Sequence, residues 1–589
     1  MQHPLSEYPR PALRRDSFES LNGPWQYAFT KAAQFPTAWD GTIRVPYSPE
    51  APASGVGRTL QPGSGSTTTA ALRPRRAGRT GAAPLRRGGL RLRRGGQRPS
   101  GRRPQGRLLA LYAGHHRFFA AGPQHPLGGR AGPHREWHPG PGQADPDPRR
   151  DVLPCPERHL ADRLAGAGAG QLHYGADCHP GLRCPDRDGK SPTAQPGGAK
   201  NLWAVVRAGG VTIAEDWGGD EADQDGEVTL NIPEKHFFPW SPDSPFLYDL
   251  TVGTTQGDED GFDTVHSYFA LRKWSCEPDA KGILRFCLNG KPILLNGLLD
   301  QGYWPEGLYT PPSDAAVVHE LEQVKELGFN LLRKHAKIEP QRWYYHCDKL
   351  GLIVWQDMVN GGGKMNQWYV TYLTNALLPL LRHTPDAKPL WGLLGRETEA
   401  SRESYQTELK ATVEALRCHP CIGCWVPFNE GWGQFDARAA TAALRALDDT
   451  RLIDEASGWY DQGGGDVDSR HNYFYPLRIR PGGRTVALSE YGGIAWPMPG
   501  HEPPGKTYGY GTAKDKADLT KRYKMLQWKT ILPQLGRGLS ALVYTQLTDV
   551  EDEVNGLFTY DRAALKPEAA AVRSCNAALA AEFAKATAK

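Results

Sequence analysis

Residues 319–335 read HELEQVKELGFNLLRKH. The first ten place apolar residues on one face at helical spacing, and the last seven form a short apolar run ending in charged side chains. A helix feeding such a strand is the repeating unit of a parallel β/α fold. Working outward, further candidate strands are ILLNGLLD at 293–300, LIVWQDM at 352–358, IGCWVPFNE at 422–430 and RLIDEAS at 451–457. SRHNYF at 469–474, TVALSEYGG at 485–493 and ALVYTQLTD at 541–549 complete the set, and LTKRYKMLQWKTILPQLG at 519–536 is a second helix. Eight strands over about 315 residues predict a single (β/α)8 TIM barrel across 275–589. Each strand ends in polar residues, and in this architecture those ends form the working face.

Upstream the pattern is all β. LNGPWQYAF at 21–29 and TIRVPYSPEAPASGVGRTLQP at 42–62 read as strands and turns. Residues 191–274 carry short runs such as NLWAVVRAGGVTIAED, EVTLNI, LYDLTV and DTVHSYFALRKW, which predict a small β-sandwich. WSPDSPFLYDL at 240–250 reads as an edge segment, because its prolines cannot donate to a central ladder.

The chain has 589 residues, 39% hydrophobic and 23% charged, enough apolar content for folded cores and several domains. No apolar run is long enough to span a bilayer, so no membrane partner is expected. The start, MQHPLSEYPRP, lacks a basic stretch followed by an apolar one, so no secretory signal is expected. Ten Cys in this length fit reduced thiols and a cytoplasmic location. The net charge is +5, but residues 71–150 hold 18 Arg, no Lys and three acids, a local +15 that leaves −10 for the rest. The molecule reads as an acidic protein with one basic insert.

That insert, about 64–190, has no sustained period of two or of 3.6, so it specifies neither strand nor helix. An Arg/Gly-rich nucleic-acid-binding segment would interleave aromatics, yet none occurs from Ala70 to Ala110. A linker is a second reading. The third is GC-rich DNA translated out of frame, and it is the one adopted. Cys155–Ala161 can be encoded so that a shift of one nucleotide gives AQSGIW, and the same shift permits QTVWLEQV and YITELTVTP nearby, which read as strands. Residues 64–190 are therefore expected not to form a native domain, leaving the encoded chain poorly soluble and weakly active or inactive, with a frame-restored chain active. Strong amide protection throughout 64–190 in hydrogen exchange would overturn that expectation.

Two glutamates end apolar strands: Glu430 in CWVPFNE, the fourth strand, and Glu490 in TVALSE, the seventh. Strand ends of a closed barrel converge on one mouth, so both carboxylates can face one pocket. Paired carboxylates ~5–5.5 Å apart suit retaining glycoside hydrolysis, one as nucleophile and the other as acid/base. The bland reading is that each Glu caps a strand or pairs with an Arg on the rim.

WVPFNEGWGQF, VALSEYGG, HNYFYP and TQLTDVEDEVNGLFTYDR resemble glycoside hydrolase family 2, which contains β-galactosidases, β-glucuronidases and β-mannosidases. LNGPWQYAF and VPYSPEAP resemble the start of that family's sugar-binding jelly-roll domain. The resemblance implies a multidomain architecture: a jelly-roll over 1–190, disrupted here by the out-of-frame tract, an immunoglobulin-like β-sandwich over 191–274 and the catalytic barrel over 275–589. It implies that Glu430 is the acid/base and Glu490 the nucleophile, with Asn429 on the sugar 2-hydroxyl. Arg333 matches the family's Arg on the second strand, expected to keep the nucleophile charged. His471 and Tyr473 match the family's His and Tyr near the sixth strand. Asp357 and Asn360, after the third strand, are expected to line the pocket. Trp432 and Tyr544 are apolar walls or ordinary core.

The chain departs from the family in places. Arg333-Lys334-His335 is one residue tighter than the usual spacing, which leaves the role of His335 open. Tyr544 stands where many members have Trp. Asn555 is present without the neighbouring Lys with which glucuronidases hold a sugar carboxylate, which argues against a uronic acid. The expected activity is hydrolysis of terminal β-glycosides, β-galactosides first and β-mannosides or another neutral β-glycoside second, with no cofactor and no metal. The partners expected are an oligosaccharide or glycoside substrate and, where the chain self-associates, a homo-oligomer; nucleic-acid binding through the Arg-rich tract is the competing class. The Cys418-His419-Pro420-Cys421-Ile422-Gly423-Cys424 run resembles a metal cluster but reads better as buried thiols acting as small hydrophobes. GGGK at 361–364 lacks the spacing of a phosphate loop and reads as a barrel loop.

Overall fold

The computed structural model describes residues 5–15, 18, 20–30, 38–58, 201–217, 230–256, 261–374, 377, 381–503 and 505–588, with the backbone of 69–74 and 90–93. The described chain falls into two compact units. In the first, β1 (Gly23–Thr30), β2 (Gly41–Val45), β3 (Thr69–Pro74) and β4 (Leu90–Arg93) form an antiparallel sheet in the order β2-β1-β3-β4. Trp25 and Ile43 are directly paired across β1 and β2 and are both buried, with Leu21, Tyr27, Val45 and Val56 packed on them. This sheet corrects the expectation that the basic tract specifies no strand. β3 and β4 lie inside the tract, and a ladder draws on main-chain groups that every residue but proline supplies in full. The rest of the 64–190 expectation falls outside the described residues.

The second unit opens with β5 (Asn201–Ala208), β6 (Val211–Trp217), β7 (Tyr248–Gln256) and β8 (Gly261–Phe269), an antiparallel sheet in the order β6-β5-β7-β8. Tyr248 and Phe269, opposite one another, stack with ring centroids 5.0 Å apart. The strand expected at EVTLNI is not seen at Leu230–Ile232, and residues 227–229 lie outside the described residues.

The barrel domain was expected from residue 275 with its first strand at 293–300, and that strand starts at Leu295. Ahead of it β9 (Trp274–Pro278), β10 (Leu284–Leu288) and β11 (Lys291–Pro292) make a separate antiparallel sheet. Its cause is a signal that the barrel count passed over: Asn289-Gly290, both at positive φ (54° and 73°), is the strongest two-residue hairpin turn. The hairpin packs on the start of the barrel strands. Phe286 meets Trp355 edge to face, and Arg285 donates to the carbonyls of Leu535 and Leu539, to Ser540 Oγ and to Asp279 Oδ2.

The eight strands follow as expected from the sequence. They are β12 (Leu295–Asp300), β13 (Leu331–Lys334), β14 (Ile353–Asp357), β15 (Ile422–Val426, continued by β16, Phe428–Asn429), β17 (Leu452–Ile453, continued by β18, Ala456–Ser457), β19 (Val467–Asn472), β20 (Thr485–Gly492) and β21 (Leu539–Thr545). All pairs are parallel, in the order β17-β15-β14-β13-β12-β21-β20-β19, with β16 on β18, so the sheet is nearly closed. Every residue of β14, β15 and β21 is buried, which is why these strands read as continuous apolar runs. The connecting helices are α1 (Asp314–Glu326), α2 (Gln341–Leu350), α3 (Glu399–Leu416), α4 (Ala437–Leu447) and α5 (Lys516–Met525), and α6 (Ala569–Thr587) follows β21. Thr398 caps α3 by accepting from Ser401 N, and Asp515 caps α5 by accepting from Asp518 N. A π turn, Leu526–Ile531, carries α5 into Leu532–Leu535.

Arg285 joins the hairpin to the barrel through its buried guanidinium. Its truncation strands Asp279 and three acceptors, so Arg285→Ala should lose about 3 kcal/mol in urea unfolding. A loss under ~1 kcal/mol would show that the hairpin docks by apolar contact alone.

Candidate active site

β13 delivers Arg333 to the barrel axis, fully buried. Its Nε and Nη2 each lie 3.0 Å from an oxygen of Asp357 on β14, a two-pronged pair that fixes the guanidinium plane. Nη2 also donates to Asn429 Oδ1 at 2.8 Å, and Nη1 donates to the Ser489 carbonyl and to Glu490 Oε1, both at 3.1 Å. Tyr473 OH donates to the other Glu490 oxygen at 2.7 Å. Burial alone would raise the Asp357 pKa, but Arg333 and His335 outweigh it and hold that carboxyl below its ordinary value. His335 Nδ1 lies 2.9 Å from Asp357 Oδ2, which places this histidine on the carboxylate that orients Arg333.

Glu430 follows β16 in a left-handed conformation, φ 50°, with its N–H donating to the Ser457 carbonyl on β18. Such a backbone costs roughly 1–2 kcal/mol in a non-glycine residue, and the β16–β18 pairing holds it there. Its Oε1 is 2.8 Å from His471 Nδ1. One oxygen from each of Glu430 and Glu490 and a nitrogen of His471 lie within 4.8 Å of one another. With C–O bonds of about 1.25 Å the two carboxyl carbons are then at most about 7.3 Å apart, below the ~9.5 Å ceiling for a glycosidase pair. These three groups also have the spacing of a cation site, but Arg333 already presents its charge to Glu490. Glu430 is pushed well above the ordinary carboxylate range by burial first, then by Glu490 and Glu553, against the pull of Arg333. His471 is pushed well below its ordinary value by burial, with Arg333 and His335 adding to the effect.

Residues 282–473, from the hairpin before the barrel to just past β19, match the family described as glycosyl hydrolases family 2, TIM barrel domain. The match to glycoside hydrolase family 2 covers about a third of the chain. Glu430 falls inside the matched segment, and Glu490 lies beyond its end. A β-galactosidase of Leuconostoc mesenteroides is 26% identical over 247 residues, 41% of this chain and 20% of that protein. An exo-β-D-glucosaminidase of Amycolatopsis orientalis is 29% identical over 130 residues, 20% of this chain and 12% of that one. The chain spans about a fifth or less of the length of these curated relatives. Among solved structures, a family 2 β-galacturonidase of Eisenbergiella tayi superposes with a TM-score of 0.46 at 16% identity, covering 65% of this chain and 67% of that one.

The family 2 site residues expected from sequence are mostly brought together. Asn360, with its amide oriented to satisfy both neighbours, donates to the Pro427 carbonyl and accepts from Asn429 N. Buried Asn429 Nδ2 makes no hydrogen bond within the protein, a donor at hand for a ligand. Trp432 packs against the buried cluster of Val370, Leu394, Trp459 and Tyr460, with its ring 6.2 Å from His335. Tyr544 goes elsewhere. Its ring sits edge-on between Tyr491 and Tyr523, pressed on Gly492, where a Cβ would come within 2.3 Å of it. It is core, and the adjacent Thr545 is the β21 residue that meets Tyr473 OH, at 2.9 Å. Thr545, Ser457, Ser489 and Tyr510, which stacks on Tyr473 at 3.8 Å, were not singled out in the sequence. The serines end or sit within strands already identified, so strand position was the available signal; Tyr510 lies in a loop with none. Among the described residues, the Cys418–Cys424 run does not bring three possible ligand atoms together. His419 bonds Asp348, and Cys421 and Cys424 point to the carbonyls of Tyr344 and Trp425.

Proposed function

We propose that this chain is a retaining glycosidase acting on terminal β-glycosides, with Glu430 as acid/base and Glu490 as nucleophile. The observation that carries the reading is the unequal setting of two neighbouring buried carboxyls. Glu490 receives hydrogen bonds from Arg333 and Tyr473, whereas burial and like charge favour the protonated form of Glu430. An acid that must be protonated beside a nucleophile that must be charged is the arrangement that double displacement needs. Asn429, Asn360, His471 and Tyr473 then position the sugar, and Arg333 and Asp357 hold the pair. The experiment is hydrolysis of a nitrophenyl β-galactoside followed by NMR: the first-formed sugar should be the β anomer. A first-formed α anomer would mean inversion and sink the mechanism.

Within this reading β-galactosides come first, with β-mannosides or another neutral β-glycoside as the second choice. A uronic acid is disfavoured by the neighbours of Asn555. Its amide donates to half-buried Glu553 and its carbonyl accepts from Gln546, so that corner already holds a carboxyl of its own. Lys566 is taken up by Asp549 and the Val554 carbonyl. We also propose that β1–β4 belong to a jelly-roll domain and β5–β8 to an immunoglobulin-like β-sandwich, with the domain limits 1–190, 191–274 and 275–589 expected from sequence, the barrel sheet itself starting at Leu295. A cytoplasmic location rests on the thiol content; no helix among the described residues is long and apolar enough to cross a membrane. The rival class would be favoured by a salt-dependent DNA affinity that disappears when residues 64–190 are deleted.

A further inference from the structure

Behind His471 the barrel interior carries polar groups that glycosidic chemistry does not call for. Ser457 on β18, Ser469 on β19 and Ser489 on β20 come from successive strands and are all buried. Ser457 Oγ is 2.9 Å from His471 Nε2 and 2.9 Å from Ser489 Oγ. Ser489 Oγ is 2.6 Å from Ser469 Oγ, which is 2.7 Å from Asp454 Oδ2. With the 2.8 Å contact from His471 Nδ1 to Glu430 Oε1, an unbroken chain of hydrogen bonds joins Glu430 to Asp454. Asp454 is fully buried, and its Oδ1 has no hydrogen-bond partner. A buried carboxylate with one bare oxygen is costly, whereas a carboxylic acid donating through Ser469 is not.

Every link can donate and accept. A hydroxyl has one proton and two lone pairs, and a neutral imidazole donates from one nitrogen and accepts at the other. The chain can therefore run in either direction without moving a heavy atom. In one direction Glu430 is protonated and Asp454 charged. In the other the Glu430 proton passes to His471 Nδ1, the Nε2 proton to Ser457, and one proton onward through Ser489 and Ser469 to Asp454 Oδ2. Glu430 ends charged, Asp454 neutral, and the imidazole and the serines are unchanged in charge.

We infer that Asp454 is a positioning residue for Glu430: the two carboxyls share one proton through Ser469, Ser489, Ser457 and His471, and this sharing sets the alkaline limit of acid catalysis. The electrostatics agree. Burial raises the Asp454 carboxyl to about 7, with Asp357 and Asp461 adding to it and Arg333 and the Ser469 hydrogen bond opposing it; the thiol of Cys424 on β15 is a further titratable neighbour. Glu430 faces Glu490, Glu553 and Arg333, with the phenols of Tyr473, Tyr508 and Tyr510 nearby. Two acids linked in this way titrate as a pair.

The inference rests on the glycosidase reading for its kinetic consequence, so the test has two arms. In the full chain, Asp454→Asn removes an anion that opposes ionisation of Glu430. The alkaline limb of kcat/KM for an alkyl β-galactoside should move to lower pH by on the order of one unit, with KM nearly unchanged. Ser457→Ala, which leaves both carboxyls in place, should move it the same way, because His471 Nε2–H loses its acceptor and the tautomer that donates to ionised Glu430 is favoured. Ser457→Thr should restore the limb. An unchanged limb in both Asp454→Asn and Ser457→Ala would overturn the inference. The second arm needs no turnover: infrared titration of the full chain should show two coupled protonated-carboxyl bands, of which Asp454→Asn removes one and shifts the other. A single band that Asp454→Asn leaves in place would equally overturn it. A chain that shows the two coupled bands yet cleaves no β-glycoside even with its reading frame across 64–190 restored would refute the glycosidase reading and leave the shared proton standing.

Discussion

Glu490→Ala should abolish turnover, and sodium azide should partly restore it with formation of a glycosyl azide of inverted configuration. Loss of a nucleophile that works as one unit with its neighbours costs on the order of a million-fold in kcat. The rescue follows from what the truncation leaves behind. Arg333 Nη1 and Tyr473 OH both donate to Glu490 in the intact site. With the carboxylate gone they line a vacated space with two hydrogen-bond donors and a guanidinium charge, which is a receptor for a small anion. Azide held there attacks the anomeric carbon from the face that Glu490 occupied. It forms the bond that the protein's own carboxylate would have formed, so the product keeps the inverted configuration of the first displacement. No water-driven second step follows, because the azide is not a leaving group under these conditions. The same mutant carrying Arg333→Ala should lose the rescue. Rescue of Glu430→Ala and not of Glu490→Ala, with that same inverted product, would exchange the two assignments.

The features of this site that were readable in sequence are those fixed by position along a strand. Glu430, Glu490, Arg333 and Asp357 each stand at or just past the end of an apolar run, and a barrel brings such ends to one mouth whatever lies between them, whereas His471 sits on the mostly polar β19 and was legible only through the family resemblance. What was hidden depends on how side chains turn once the strands are packed. Tyr544 follows two apolar residues on β21 exactly as a wall residue would, yet positive-φ Gly492 opens a space behind β20 and the ring falls into it, leaving Thr545 to face Tyr473. The serines on β18, β19 and β20 were invisible for a related reason: one small hydroxyl in a strand has no pattern, and only the closure of the barrel brings three of them into hydrogen-bond contact. The hairpin at 284–292 was legible in Asn289-Gly290, but a count of strands for a barrel does not ask for an antiparallel pair before its first strand.

Glu430→Ala should divide substrates by their leaving groups. Glu430 sits buried, raised by its surroundings, and hydrogen-bonded to His471, the setting of a general acid at neutral pH. A dinitrophenolate departs without a proton, so formation of the glycosyl-enzyme from a dinitrophenyl β-galactoside should fall by about tenfold or less. An alkyl galactoside must be protonated as it leaves, and its kcat/KM should fall by the ~10²–10⁴ that a positioned acid contributes. The second step needs the same residue as a base to activate water, so with the activated substrate the covalent intermediate should accumulate and appear as a burst of dinitrophenol followed by slow turnover. His471 does not replace the lost acid. Burial together with Arg333 and His335 holds its imidazole well below the ordinary histidine value, so it is neutral where the enzyme works and has no proton to give cheaply. The variant should therefore lose the alkaline limb of its pH profile outright. A Glu430→Ala enzyme that slowed both substrates equally would place Glu430 in sugar binding, because a group that only holds the sugar acts without regard to the leaving group.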